Sequence, residues 1–346
     1  MPDISTYDEL SLVGMEIDDL GWTGNRLRAN FGDGYGASAV NGNANGLHRW
    51  AISSQALPDD ADYGDLIAGV PRFQYYWDFF KDHTTGANDV FLIEWRGRKY
   101  FAEFVDNTMS AEMHTIDLFS GGVEIRQRRV AGFYEGTDGS VFDPAFHTAS
   151  MYAWFDETSP NYGGAEFTDI SGNARHFDIN GDVITGGATQ NGLATAKFNS
   201  AGADGYINLV TSAQVFDVFM VLKVREASFS TYQGVLTASA TTAAMVGNNG
   251  DTKLTNLSHG AGYTFYKNAT MLTEATQNMP MNTFGMIHGR WPSGITLLNS
   301  QIGKDRADAT RMLKADIGEI VLFSVAISAE VAADMRGWLL HKWGIS

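Results

Sequence analysis

The chain contains no cysteine, which removes disulfides, thiolate metal sites and thiol nucleophiles together. Proline is sparse, 7 residues against 38 glycines, so turns must be made mostly by glycine, asparagine and aspartate. Positive charge is also scarce: 24 Lys and Arg stand against 40 Asp and Glu, for a net charge of −16. Residues 1–135 hold 11 basic and 21 acidic groups and the remainder 13 and 19. Neither half therefore offers the clustered cations that nucleic acid or an anionic membrane needs. No apolar run is long enough to span a bilayer, and the opening MPDISTYDEL has neither a basic n-region nor an apolar core. No membrane insertion, nucleic-acid partner or cleaved export signal is expected.

What is present suits a mainly β protein with two buried cores. A length of 346 residues favours two domains, and 44% hydrophobic with 12% aromatic residues is ample to fill them. Near the C-terminus, Ile320, Val321, Leu322 and Phe323 form a short, β-branched and aromatic run, which reads as a buried strand. A helix follows. Ser328 can cap it, Glu330 sits in its first turn, and Val331, Met335, Trp338 and Leu339 recur at i, i+4, i+7 and i+8. Gly344 supplies its stop, with Arg336, His341 and Lys342 towards the end that favours cations.

In residues 1–131, Leu10, Leu12, Met15 and Ile17 suggest a strand pair around Gly14, and residues 47–56 alternate as a half-buried strand. Phe73, Tyr76, Trp77 and Phe80 recur at helical spacing before Gly86, giving one helix with an aromatic face. Residues 90–95 and 99–105 form a hairpin about Arg96-Gly97-Arg98, and further strands are expected at 112–118 and 123–130. The unit reads as a β-sandwich with one helix and a long hairpin. Residues 132–147 have Gly136, Asp138, Gly139, Ser140 and Pro144 without periodicity, the composition of a linker, so a second domain is placed at 148–346.

Two resemblances follow from motifs in order. In 148–346 the aromatic strand 151–155, the turn Asp169-Ile170-Ser171-Gly172-Asn173, the stretch Gly192-Leu193-Ala194-Thr195-Ala196-Lys197-Phe198, the strand 216–224 and the closing strand and helix resemble LamG-like, concanavalin A-like lectin/glucanase jelly rolls. That implies a two-sheet sandwich ending in a short helix. In 20–105 the turn Phe31-Gly32-Asp33-Gly34-Tyr35, the strand Trp50-Ala51-Ile52, the aromatic helix ending near His83 and the hairpin from Phe91 to Tyr100 resemble the minor tail and distal tail proteins of long-tailed bacteriophages. After Tyr35 this chain has Gly36-Ala37-Ser38-Ala39-Val40 where that family tends to carry a charged, arginine-containing strand. The second resemblance implies a virion protein of the tail tip, assembled in the host cytoplasm. Its expected partners are copies of itself in a ring, expected as a hexamer, the tail tube and hub proteins, and a host-surface glycan. The alternative is a free carbohydrate-binding or carbohydrate-degrading protein with an accessory N-terminal module.

Chemistry leaves little trace. Gly32-Asp33-Gly34-Tyr35-Gly36 matches no phosphate-loop pattern, no GxSxG elbow exists, and the eight histidines show no HExxH or HxH pair. Asp178-Ile179-Asn180-Gly181-Asp182 begins like a calcium loop, but Val183 and Thr189 stand where glycine and a bidentate glutamate are needed, so it reads as a hairpin turn. Glycoside hydrolysis needs two carboxylates about 5 to 10 Å apart. Glucanases of the resembled fold place them two or four residues apart on one strand, a cluster absent from 148–346, where Glu319 stands alone. No catalytic residue, cofactor or metal is therefore assigned, and the chain is expected not to be an enzyme. Sugar binding asks only for an aromatic face and a few polar groups on loops of a rigid sandwich. Its candidates are Tyr232, Asn248, Asn249, His259, Tyr263, Tyr266 and Trp291. Ring-interface candidates are the hairpin tip Arg96, Gly97 and Arg98 with the acidic run Asp59, Asp60, Asp62 and Asp65, since a cyclic ring needs two complementary patches per subunit.

Overall fold

Three long runs in the second half, 213–224, 285–297 and 315–323, carry too little polarity for strands with one wet face. The fold buries both faces of 315–323 along its whole length, and of the other two over 217–222 and 285–289. The computed structural model describes residues 9–10, 16–22, 26–30, 36–40, 48–58, 66–67, 70–71, 75, 78–79, 82–83, 90–95, 98–104, 110–115, 118–127, 133–136, 140–161, 165–184, 186–199, 205–209, 212–238, 243–254, 263–273, 278–298, 300–306, 308 and 310–346. The protein is mainly β, built of several largely antiparallel sheets with a short C-terminal helix. It divides into two compact units, Met1–Phe142 and Asp143–Ser346.

The first unit holds a seven-stranded sheet in the order Glu9–Leu10, Phe91–Trp95, Arg98–Phe104, Leu118–Gln127, His48–Pro58, Glu16–Trp22, with Ser110–Thr115 attached to Leu118–Gln127. The hairpin closes with Trp95 opposite Arg98. Of the strand pair expected around Gly14, Leu12 and Met15 lie outside the described residues, and among the described ones Leu10 and Ile17 are not paired with each other. Glu9–Leu10 pairs in parallel with Phe91–Trp95, while Glu16–Trp22 pairs with His48–Pro58 at the far side of the sheet. Leu10 opposite Ile93 is buried in that position, and local pairing gives way to it. Of the aromatic helix, Tyr75, Phe79 and His83 are described. Phe79 stacks on His83 at 4.0 Å and meets Phe91 edge-on at 5.2 Å, so this helix face lies on the hairpin. Phe73, Tyr76, Trp77 and Phe80 lie outside the described residues. Within the stretch read as a linker, Val141 bridges Lys99 and Glu135 of the first unit. Pro144–Ser150 is a 3-10 helix of the second unit, capped by Asp143.

The second unit is a sandwich of two sheets. The eight-stranded sheet runs Val183–Ile184, Ala196–Phe198, Ala315–Phe323, Ala213–Val224, Gly285–Leu297, Thr264–Lys267, Thr270–Leu272, with Met151–Phe155 also paired to Ala315–Phe323. The seven-stranded sheet runs Pro160–Asn161, Glu166–Phe167, Phe177–Asn180, Tyr206–Leu209, Gln301–Ile302, Gln233–Thr237, Ala243–Gly247. Alternate residues Val218, Met220, Leu222 and Val224 enter the shared core with Phe177, Ile207, Val235 and Leu236 of the other sheet. Asp217, Phe219 and Val221 point the other way and are buried too, because the C-terminal helix covers that face with Ala332, Met335, Trp338, Leu339 and Trp343. Asn180-Gly181 is not a hairpin turn. Phe177–Asn180 and Val183–Ile184 belong to different sheets, so Gly181, at φ 66°, turns the chain from one sheet to the other. The turn Asp169–Asn173 is a structural lock: the Asp169 carboxylate accepts from the N–H groups of Trp154, Ser171 and Arg175 and from the Ser171 hydroxyl.

Candidate functional site

The structure separates the sugar-binding candidates into three groups. Tyr263 and Trp291 are core residues. Trp291 is buried, Tyr263 packs on it with ring centroids 5.1 Å apart, and both belong to the inter-sheet core. The strand alternation that puts Phe265 inward also puts Tyr263 inward. Tyr266 faces the opposite way and is covered by the C-terminal helix, with the Arg336 guanidinium 4.2 Å from its ring centroid. Two expectations are thereby corrected, since Tyr263 and Trp291 pack into the inter-sheet core, while Tyr266 keeps intermediate exposure, with Arg336 over its ring and His288 stacked against it. His259 lies outside the described residues.

Tyr232, Asn248 and Asn249 do come together. Gln233 pairs with Gly247 at the end of the Gln233–Thr237 and Ala243–Gly247 hairpin, so Tyr232 and Asn248 stand one step beyond the last rung. Asn248 is half-buried, its N–H bound to the Lys253 carbonyl, and Asn249 is exposed in the turn. A charged loop closes over this end. Asp305 is fully buried and accepts two bonds from Arg306, both 2.8 Å, and one from Arg311 at 3.1 Å. Arg311 also pairs with Asp308 at 3.0 Å and lies 5.1 Å from the Tyr232 ring centroid. Asp308 in turn accepts the N–H and hydroxyl of Thr310, which hold its carboxyl below the ordinary range. The loop can lie this close because residue 234 is glycine: a Cβ there would meet the Lys304 carbonyl carbon at 2.1 Å. Arg306 takes φ 54°, a left-handed conformation that costs a non-glycine residue energy. The sequence reading missed this loop, although Lys304-Asp305-Arg306-Ala307-Asp308-Ala309-Thr310-Arg311 is dense in paired charge.

Two further polar clusters lie under the C-terminal helix. Glu319, read as a solitary acid, is fully enclosed. It accepts the indole N–H groups of Trp154 at 2.7 Å and Trp343 at 2.6 Å, and its second partner group is the Lys342 ammonium at 3.0 Å. Lys342 also reaches Glu157 at 3.0 Å and Asp156 at 3.6 Å, so folding brings these two neighbouring carboxylates to the ammonium that pairs with the distant Glu319. Burial pushes the Glu319 carboxyl up, and Lys342 with the two indoles opposes that. The second cluster centres on His288, stacked between Phe219 at 4.0 Å and Tyr266 at 5.1 Å. An Arg336 N–H lies 3.1 Å from Nδ1. Because a guanidinium can only donate, Nδ1 accepts and Nε2 carries the proton that it gives to Asp217, 2.8 Å away. Burial pulls the His288 pKa down to about 4, keeping the ring neutral near neutral pH. Among the described residues no group of three or more His, Asp or Glu is placed to hold a metal ion.

Of the ring candidates, Arg98 is described, and it donates to the Ser140 hydroxyl at 3.1 Å. Arg96, Gly97, Asp59, Asp60, Asp62 and Asp65 lie outside the described residues.

No family model and no curated protein matches the chain. Among solved structures, it is similar to a Trypanosoma rangeli sialidase mutant displaying trans-sialidase activity (9% identity, TM-score 0.38, covering 73% of this chain and 44% of that one). It is also similar to Trypanosoma rangeli sialidase in complex with the inhibitor DANA (8%, TM-score 0.37, 91% and 55%). A third likeness is to the phage p2 baseplate in its activated conformation (11%, TM-score 0.19, 90% and 91%). The chain thus spans about half the length of the sialidases it matches. These matches correct one expectation: the sialidases are enzymes, and the assignment of this chain as a non-enzyme is withdrawn. Similarity at these TM-scores puts no activity in its place.

Proposed function

We propose that this chain is a structural protein of the tail tip of a long-tailed bacteriophage. Its first unit joins a homo-oligomeric ring, a hexamer, against the tail tube and hub proteins, and its second unit projects outward to touch host-surface glycans. The observation that carries the reading is the order of elements in the first unit. The strand His48–Pro58, the helical residues Tyr75, Phe79 and His83 and the hairpin Phe91–Trp95 with Arg98–Phe104 follow one another as in the tail-protein resemblance, and Phe79 and His83 pack on the hairpin. The second unit supports the outward role, since a rigid two-sheet frame presents Tyr232, Asn248 and Asn249 on one rim. Electron microscopy of virions labelled with an antibody to this chain tests the assignment. Label at the tail tip is expected, and virions that carry none of the chain would overturn it.

A further inference from the structure

Resting on the glycan-contact role just proposed, the geometry points to the Tyr232 rim as the binding site, and to a neutral, hydroxyl-rich oligosaccharide as its ligand. An anionic sugar is recognised by a guanidinium or ammonium able to turn its N–H groups to a carboxylate or sulfate. Here the guanidinium on Tyr232, Arg311, and that of Arg306 in the same loop are already engaged. Arg306 spends a bidentate pair on Asp305, and Arg311 is divided among Asp305, Asp308 and the Tyr232 ring. Asp305 is fully buried, so drawing Arg306 away would leave this carboxylate one bond from Arg311, and drawing Arg311 away would break its bonds to both Asp305 and Asp308.

The remaining groups suit hydroxyls. Asp308 brings an acceptor, Thr310 is exposed, and Asn249 can both donate and accept. A carboxylate at Asp308 would also repel an acidic sugar. The half-buried Tyr232 ring, with Arg311 stacked on it, supplies a flat apolar surface of the kind that C–H faces of pyranoses cover. The seating of the loop against Gly234 fixes these groups before any ligand arrives.

The test uses the full chain and a panel of neutral hexose oligosaccharides alongside uronic-acid and sialylated counterparts, with affinities measured by calorimetry. Neutral chains are expected to bind, Tyr232→Ala to weaken them by about tenfold or more as loss of an aromatic anchor does, and Tyr232→Phe to bind nearly as the parent. Asn249→Ala, at an exposed turn, provides a second variant should Tyr232→Ala lose its native melting profile, and a several-fold loss is expected from it. Acidic sugars bound equally or better, neutral binding indifferent to both Tyr232→Ala and Asn249→Ala, or no binding to any sugar of the panel would each overturn the inference. None of these outcomes bears on the location of the chain in the virion, which the microscopy decides separately.

Discussion

At Glu319 a carboxylate is taken wholly out of water, and every oxygen has a donor: two indoles and one ammonium. Such a group is tolerable only while its partners stay. Glu319→Ala leaves two buried indole N–H groups without their acceptor and Lys342 with only Glu157 and Asp156, and a loss of about 3–5 kcal/mol is expected in urea unfolding. His288 makes a prediction about pH. Unfolded, it binds its proton near the ordinary 6.5; folded, only near 4, because burial between two rings disfavours the cation and Arg336 occupies Nδ1. Between those values the unfolded state holds more protons, so stability is fully present above about pH 6.5 and is lost as pH falls towards 4. The slope approaches about 1.4 kcal/mol per pH unit. Comparing the parent with His288→Gln across that range isolates it, since the upward shift of Glu319, opposite in sign, is common to both. Curves that stay parallel would refute the assignment of the slope to His288.

The C-terminal helix shows how an element is held at both ends. Ser328 accepts the Val331 N–H at 3.1 Å, Glu330 sits in the first turn, and Gly344 closes the helix at φ 59°, all as its residues announce. Its docking is a different matter. The C-terminal carbonyls of Lys342 and Trp343 receive the side-chain amides of Asn191 and Gln190, each at 2.8 Å, from a turn some 150 residues away. Trp343 lies flat where Gly318 has no side chain; a Cβ there would come within 2.4 Å of the indole. Gly318 also falls at a bulge, where Val221 faces Glu319 and Leu222 faces Ile317. Gly318→Ala is therefore expected to displace Trp343 and cost about 1–3 kcal/mol, as overpacking does. Thermal melting monitored by near-ultraviolet dichroism would report both the loss and the indole; an unchanged melt and spectrum would show that the contact is not limiting.

For the whole molecule, the proposed ring requires that the chain associate with itself. Light scattering of purified protein is expected to give a hexamer, and a strict monomer at high concentration would count against self-driven assembly. Two units with separate cores also predict two unfolding transitions, of which only the second should move with Glu319→Ala or Gly318→Ala.

Local patterns determined much of this protein. Period-two alternation, β-branched runs and glycine turns are properties of a few neighbouring residues, so the hairpin of 90–95 and 99–105, the apolar run 320–323 and the closing helix are legible directly, whereas the extension of the 320–323 strand back to Ala315 is not. Tertiary structure decided what those residues face. Tyr263, Tyr266 and Trp291 were chosen as sugar contacts because aromatic residues near turns suit that role, yet a ring carries no sign of whether a second sheet or a helix will cover it. The same holds for Leu10, which left its expected neighbour for a parallel partner, and for Glu319, whose companions Asp156, Glu157 and Lys342 meet only in space. Propensity acts along the chain over one turn or one strand, whereas burial and charge pairing act across it, and both clusters under the helix and the Tyr232 rim belong to the second kind.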